Sequence, residues 1–484
     1  MKNLLLKNLS WNFAETLLSR GLLTFTTLIL AWFLTPEDYS LVAMMTFFVA
    51  LSNVLVDAGF GHAIVRKKEI NEKELSTVFW TNIVISFAYY IALFLAAPFI
   101  SEFYEEPRLE ELIRVLMLSA IFNSYTVVPR ALLIRKLNFS LQFKLVVPSA
   151  FLSSLLAILL ASSGFGVWAL IFHILSNSFF LSIAYMLSKS WRPRIYFGFE
   201  PLRDLWSFSK YILVDGLTNA PFKNIYLILL PKFFAAGPVG LYFLAEKIKD
   251  TLIMLIISTV SKVSYPALSK LQDDKIKLKE GFRQIISSTT YIYFLIISLV
   301  AALSPTIFEV FMPVEWSGAV IYIQLLCMAS IIYPLHAINH NSLMVIGRSD
   351  LVLYIGILNK TITVFALVLT IKFEIETVII GYLIASIICY IPNSYYTSRL
   401  LNYTVKEQIR DVLPCLTLSL FLFMLIYQLQ RYTQFSPILE LFAYSVSSLI
   451  FYFFFSYLFK FKAIQIIIDE YQKINGYKSQ RTES

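Results

Sequence analysis

The chain has 484 residues, of which 58% are hydrophobic and 15% charged, and its mean hydropathy is +0.70. A water-soluble chain carries about 45–50% apolar and about 25% charged residues, so a large soluble domain is excluded. The net charge of +9 does not indicate a nucleic-acid binder, because the basic residues fall in alternate loops and form no single patch.

Apolar runs of about 20 residues, enough to cross the hydrocarbon core, recur along the whole length. About fourteen spans are predicted, at roughly 10–34, 40–63, 76–100, 111–133, 141–162, 166–188, 207–231, 239–262, 285–304, 318–342, 351–371, 377–397, 412–428 and 437–459. The first of these is not a signal peptide: Glu15 and Arg20 interrupt its apolar core and no small-residue cleavage site follows. Loops expected on one side hold about 27 Lys and Arg, against 4 (Arg108, Lys232, Lys372 and Arg431) on the other. That bias places both termini in the cytoplasm and requires an even number of spans. Residues 263–284, the longest cytoplasmic loop, are expected to form an amphipathic surface helix between spans 8 and 9, and the tail after Lys460 another interfacial helix with a disordered end. Cys327, Cys389 and Cys415 have neither metal-ligand spacing nor an even count for a disulfide framework.

Spans 1 and 2 match spans 7 and 8 without a gap at an offset of 200: Trp11 pairs with Tyr211, Glu15 with Asp215, Ser19 with Asn219, Leu30 with Leu230, Phe33 with Phe233 and Leu41 with Leu241. Six spans separate the copies, so the repeat is parallel. It divides the chain into 1–205 (spans 1–6), 206–400 (spans 7–12), 401–460 (spans 13 and 14) and a cytoplasmic tail, 461–484. A charge inside the bilayer costs about 2.5–3.5 kcal/mol on insertion scales, and a repeated one points to a shared polar interior.

The intramembrane charges concentrate on four spans. Glu15 and Arg20 lie on span 1, Asp57 on span 2, Lys210, Asp215 and Lys223 on span 7, and Glu246, Lys247, Lys249 and Asp250 on span 8; later spans add His336, His340 and Lys360. Tyr211, Asp215, Asn219 and Lys223 recur every fourth residue and share one helix face. Spans 1, 2, 7 and 8 are therefore the expected cavity lining. The competing reading is that these charges pair to pin helix packing or snorkel to the headgroups. It suits Lys210, Asp57 and His340, near the cytoplasmic ends, and a packed histidine suits His173. Arg20, Lys223, Lys249 and Lys360, nearer mid-membrane, fit a water-filled cavity better. Pro129, Pro148, Pro221 and Pro334 fall within spans as kinks or hinges. No HExxH, GxSxG or Walker-type loop is present, so no enzyme site, metal or cofactor is expected, and transport would draw on H+, Na+ or the substrate's own gradient.

The stretches LTPEDYSLVAM (34–44), VDAGFGHAIVRKKE (56–69), LSTVFWTN (75–82), GFGVWAL (164–170), SKSWRPR (188–194), YPLHAINHNSL (333–343), GRSDL (347–351) and NSYYTSRLLNYT (393–404) run in order through most of the chain. They resemble the multidrug/oligosaccharidyl-lipid/polysaccharide flippase superfamily, in its bacterial polysaccharide-exporter branch of Wzx-type flippases, colanic- and teichuronic-acid exporter subgroup. Two departures touch no site residue: Ser40 replaces the usual glycine of the first motif, and its second-half counterpart reads AAGPVGLY (235–242).

The resemblance implies an all-α membrane protein with two six-helix lobes around a central cavity, two C-terminal helices being appended. It implies a flippase in the bacterial cytoplasmic membrane that moves undecaprenyl-pyrophosphate-linked oligosaccharide units to the periplasmic leaflet for O-antigen, capsule or exopolysaccharide synthesis. A polymerase and a chain-length regulator of the pathway would be its partners. A pyrophosphate in a low-dielectric cavity needs cations, a role suited to Arg20, Lys223, Lys249 and Lys360. Glu15, Asp57, Asp215, Glu246 and Asp250 would balance those cations, gate the path or carry coupling protons. One alternative is an ion-coupled multidrug or metabolite antiporter of the same superfamily, which would want an acid-dominated cavity. The other is a pathway enzyme such as a polymerase or acyltransferase, which would want a large periplasmic loop.

Overall fold

A computed structural model describes residues 2–269, 271, 274–433 and 435–465, and among them every regular element is a helix. The chain packs as two compact units, Met1–Leu244 and Ala245–Ser484. The first contains α1 (Lys2–Leu30), α2 (Pro36–Asp57), α3 (Phe60–Arg66), α4 (Glu72–Tyr104), α5 (Arg108–Leu116), α6 (Leu118–Arg135), α7 (Phe139–Ser162), α8 (Trp168–Leu187), α9 (Phe199–Lys223) and α10 (Ile225–Phe233). The next helix, α11 (Ala236–Ser269), begins in the first unit and ends in the second. The second unit continues with α12 (Lys275–Phe311), α13 (Ala319–Ala329), α14 (Tyr333–Val345), α15 (Ser349–Thr370), α16 (Ile375–Leu401), α17 (Val405–Tyr432) and α18 (Pro437–Leu458).

Twelve helical segments among the described residues are long and apolar enough to cross a membrane. The other two segments expected to span, α9–α10 and α11, are helical but carry the charges singled out in the sequence, which removes them from a test on apolarity. Four expected spans are each broken into two helices. The break between α2 and α3 has Ala58 and Gly59 in left-handed conformation, at φ 46° and 76°. Span 10 breaks at residues 330–332, so Pro334 starts α14, where its missing N–H costs nothing, and is no mid-helix hinge. Pro129 and Pro148 lie inside continuous helices.

The surface helix expected over 263–284 is not a separate element. Its residues extend α11 and α12, which have 34 and 37 residues, or about 50–55 Å of helix against a hydrocarbon core of about 30 Å. The alternating charges of LQDDKIKLKEGFR suit a helix beyond the headgroups as well as one lying on them. Of the tail, 462–465 form one helical turn, and the expectation for its remainder lies outside the described residues.

The motif stretches build joints. Thr35 and Asp38 form a capping box that starts α2, and the Tyr39 hydroxyl donates to the Thr27 carbonyl. Gly164 and Gly166, both at positive φ, turn the chain from α7 to α8. Trp191 enters a core with Phe60, Phe79 and Leu205 while its indole donates to Glu72 at 3.0 Å. Lys67, at the end of α3, pairs with Glu74 of α4 at 2.6 Å and with Asp204 of α9. The missing Cβ of Gly59 and of Gly216 lets α9 approach α2: a Cβ at Gly59 would come within 2.6 Å of the Ser209 carbonyl, and one at Gly216 within 2.6 Å of Val54. Gly240 of α11, the repeat counterpart of Ser40, leaves only 1.7 Å between a built Cβ and the Pro36 carbonyl oxygen.

Candidate functional site

The repeat is visible in local structure. Leu30 and Leu230 are both fully buried, Phe33 and Phe233 both exposed, and in each copy a short turn follows before the next helix starts at Pro36 or Ala236. The copies also differ. Helix α1 runs unbroken past Glu15 and Arg20, whereas α9 stops at Lys223 and α10 restarts at Ile225, with the Asn224 side chain donating to the Ala220 carbonyl at 2.8 Å.

In the first unit Arg20, Asp215 and Lys223 are accessible. Arg20 is exposed, and the nearest charges acting on it are Arg130 of α6, which opposes it, and Glu15, which favours it. Asp57 ends α2, and its carboxylate accepts the Gly61 N–H at 3.2 Å, capping the start of α3. It also feels His62 and Arg130. Asp215 and Lys223 are exposed on α9. The side chains of Arg20, Arg130, Asp215 and Lys223 make no hydrogen bond or ion pair with any described residue. Arg130 was not singled out in the sequence, although a basic residue directly after Pro129 within an apolar run was the available signal.

In the second unit the arrangement is closed. Lys249 is the one Lys or Arg among the described residues that is buried, with 6% of its surface exposed. Its Nζ lies 3.0 Å from Asp250 Oδ1 and 3.9 Å from Glu246 Oε1, and 6.0 Å from the centre of the Tyr382 ring. The stripe of Glu246, Lys249 and Asp250 read from helical spacing is thus an ion-paired group, and the ammonium expected to meet substrate is held by two carboxylates. Lys360 is half-buried on α15.

His336 belongs to a separate polar chain. Its Nδ1 accepts from Asn393 Nδ2 at 2.6 Å, which leaves Nε2 to donate to the Ser386 carbonyl at 3.0 Å. Nearby, Gln408 Oε1 accepts from Asn339 and from the Tyr390 hydroxyl, and Gln408 Nε2 donates to the Tyr403 carbonyl. The Tyr403 hydroxyl donates to Asp411, whose carboxylate also receives Arg283 at 2.7 and 2.8 Å and Lys462 at 2.9 Å. These residues tie α12, α14, α16 and α17 together. They are better read as structure than as a site, since nearly every polar group is matched by another from the same unit, the buried Asn339 Oδ1 being an exception. Among the described residues no group of three or more His, Cys, Asp or Glu could hold a metal ion.

This is a multi-pass α-helical membrane protein with the fold of a transporter. The solved structure of the lipid II flippase MurJ in an inward closed conformation superposes with a TM-score of 0.76, at 15% identity, over 93% of this chain and 99% of that one. An inward-facing multidrug resistance transporter of the MATE family gives 0.62, at 16% identity, over 80% and 96%. Residues 29–321 match the profile of the polysaccharide biosynthesis protein family, and the chain belongs to that family. Among curated relatives, the teichuronic acid biosynthesis protein TuaB of Bacillus subtilis is 28% identical over 63% of each chain. The lipopolysaccharide biosynthesis protein WzxC of Escherichia coli is 25% identical over 66% of each. The succinoglycan biosynthesis transport protein ExoT of Rhizobium meliloti is 24% identical over 59% of this chain and 58% of its own. The chain thus spans a little under two thirds of the length of these relatives.

Proposed function

We propose that the protein is a flippase for lipid-linked oligosaccharides, moving pyrophosphate-bearing repeat units across the bacterial cytoplasmic membrane for surface-polysaccharide synthesis, and that it carries out no covalent chemistry. The observation that carries this reading is the set of accessible cations on membrane helices of a polysaccharide-biosynthesis family member, Arg20 and Lys223, joined by Arg130. A membrane helix retains an unpaired cation only where something anionic or aqueous meets it. A pyrophosphate is such a partner, and a guanidinium suits its oxygens bidentately. The names of relatives and fold neighbours, a transport protein and a lipid II flippase among them, support the same substrate class.

In this reading Arg20 and Lys223 meet the substrate, and Glu15 and Asp215 balance or gate those cations. Asp57 caps α3. The spans number fourteen, as two parallel six-span repeats (1–205 and 206–400) with α17 and α18 appended. Both termini face the cytoplasm, in keeping with the loop charges. A polymerase and chain-length regulator act downstream on the product. The test is reconstitution of the full chain in proteoliposomes holding an undecaprenyl-pyrophosphate-linked oligosaccharide, with lectin access measuring flipping. Protein-dependent loss of one protected leaflet pool is expected. An equal rate in protein-free vesicles, or one unaltered by Arg20→Ala with Lys223→Ala, would overturn the assignment.

A further inference from the structure

We infer that the segment joining α8 to α9, residues 188–198, together with the start of α9, is an anchor for anionic phospholipid: Ile195, Phe197 and Phe199 enter the acyl boundary, and Lys189, Arg192, Arg194 and Arg203 meet the headgroup phosphates. The argument is independent of which substrate is carried. The segment is pinned against α4 along one edge. The Trp191 indole donates to Glu72 at 3.0 Å, the Arg194 N–H to Ser76 at 3.1 Å and the Gly198 N–H to Thr77 at 3.2 Å, while the Trp80 indole donates to the Arg194 carbonyl at 2.9 Å. An extended chain sends alternate side chains to opposite faces, so fixing that edge leaves residues 195, 197 and 199 outward. Their exposures are 99%, 48% and 80%, and the Phe197 and Phe199 rings meet edge to face at 5.1 Å. The segment leaves the end of α8, a helix long and apolar enough to span, and so starts at the bilayer surface. There apolar side chains can enter the acyl boundary and basic ones the headgroup layer. The four cations are exposed, and their side chains make no hydrogen bond or ion pair with any described residue. Glu200 is the one carboxylate in 188–203, and α4 adds another cation, Lys73, 5.4 Å from the Tyr196 ring. Apolar side chains beside uncommitted cations are complementary to an anionic leaflet, which offers acyl chains and phosphates at adjacent depths. Because Phe199 is the first residue of α9, the anchor also sets the level at which α9 starts.

The test is fluorescence quenching of the full chain in lipid nanodiscs, with a fluorophore on an Ile195→Cys variant. Cys327, Cys389 and Cys415 are buried, which leaves the added thiol as the labelling site. Phosphatidylcholine discs receive either phosphatidylglycerol or phosphatidylcholine carrying a spin label near the headgroup end of an acyl chain. Both should quench, with phosphatidylglycerol effective at about a fifth of the concentration or less, since one basic residue near an anionic surface is worth about a factor of five. Arg192→Gln with Arg194→Gln and Arg203→Gln is expected to remove that preference without moving the melting temperature. Should the triple variant not fold, high salt on the otherwise unsubstituted labelled chain should remove the preference in its place. A label quenched by neither lipid, as for a segment turned to water or kept for a protein partner, would overturn the inference. So would equal quenching by the two lipids, or a preference that survives both the triple variant and high salt.

Discussion

Two groups of helix charges, one in each unit, are held in opposite ways. In the first, Arg20, Arg130 and Lys223 are exposed and have no ion-pair partner among the described residues. In the second, Lys249 is sealed beneath Tyr382 with a carboxylate on either side. A charge without a partner contributes nothing to the fold and is available to a ligand. A charge with two partners stabilises the fold and is unavailable. Charge alone therefore does not mark a substrate-binding residue, and commitment of that charge to the protein separates the two cases.

The largest effect that would break this contrast is on transport. Arg20→Ala with Lys223→Ala should lower flipping by about a hundredfold or more, because each of the two lost charge-assisted contacts is worth about 1.5–3 kcal/mol. The melting temperature should not move, which makes the pair of measurements diagnostic. The converse holds for Lys249→Ala: a stability loss of about 3–5 kcal/mol, read by thermal unfolding, as expected when one partner of a buried ion pair is removed. If that variant keeps wild-type stability, the second unit is not closed in the way described.

Gly240→Val should destabilise by about 3 kcal/mol through overpacking against the Pro36 carbonyl, and Gly21→Ala, where a Cβ meets nothing within 4 Å, should not. Asp411→Ala should cost about 2 kcal/mol, since Arg283 and Lys462 are accessible enough to be rehydrated when their carboxylate is lost. The smallest effect belongs to the exposed pair of Lys232 with Glu105, at 2.7 Å. Lys232 holds the Glu105 carboxyl below its ordinary value. Its contribution is therefore present above the usual glutamate range and lost as pH falls through the lowered value. A Glu105→Gln variant should flatten that acid limb slightly and leave stability at neutral pH within error.

Much of the fold was legible because a bilayer enforces a simple code. Apolar runs of fixed length gave the helices, and the 200-residue offset gave equivalent positions such as Leu30 and Leu230. The broken spans were harder to see. The Ala58–Gly59 break depends on a left-handed alanine that no local propensity announces, and α11 and α12 continue through residues that read equally well as an interfacial helix. For the site, helical spacing correctly grouped Glu246, Lys249 and Asp250 but could not tell an ion pair from a cavity lining. That distinction rests on what Tyr382, about 130 positions away in the chain, lays over the ammonium. Arg130 was missed for a related reason: its relation to Arg20 and Asp57 is created by the packing of α6 and has no sequence spacing to reveal it. The motifs that carried the family resemblance proved to be capping boxes, turns and interhelical ties, so they report how the chain is jointed more than what it binds.

The tie between Asp411 and Lys462 has a practical corollary. Lys462 lies just past α18 and reaches back to a carboxylate 51 positions earlier, so the first residues of the tail hold the last helices in register. A reporter enzyme or fluorescent protein joined at residue 458, the natural cut for mapping which face the terminus occupies, would remove that anchor and compromise the topology it was meant to measure. Fusions joined after residue 465 keep it.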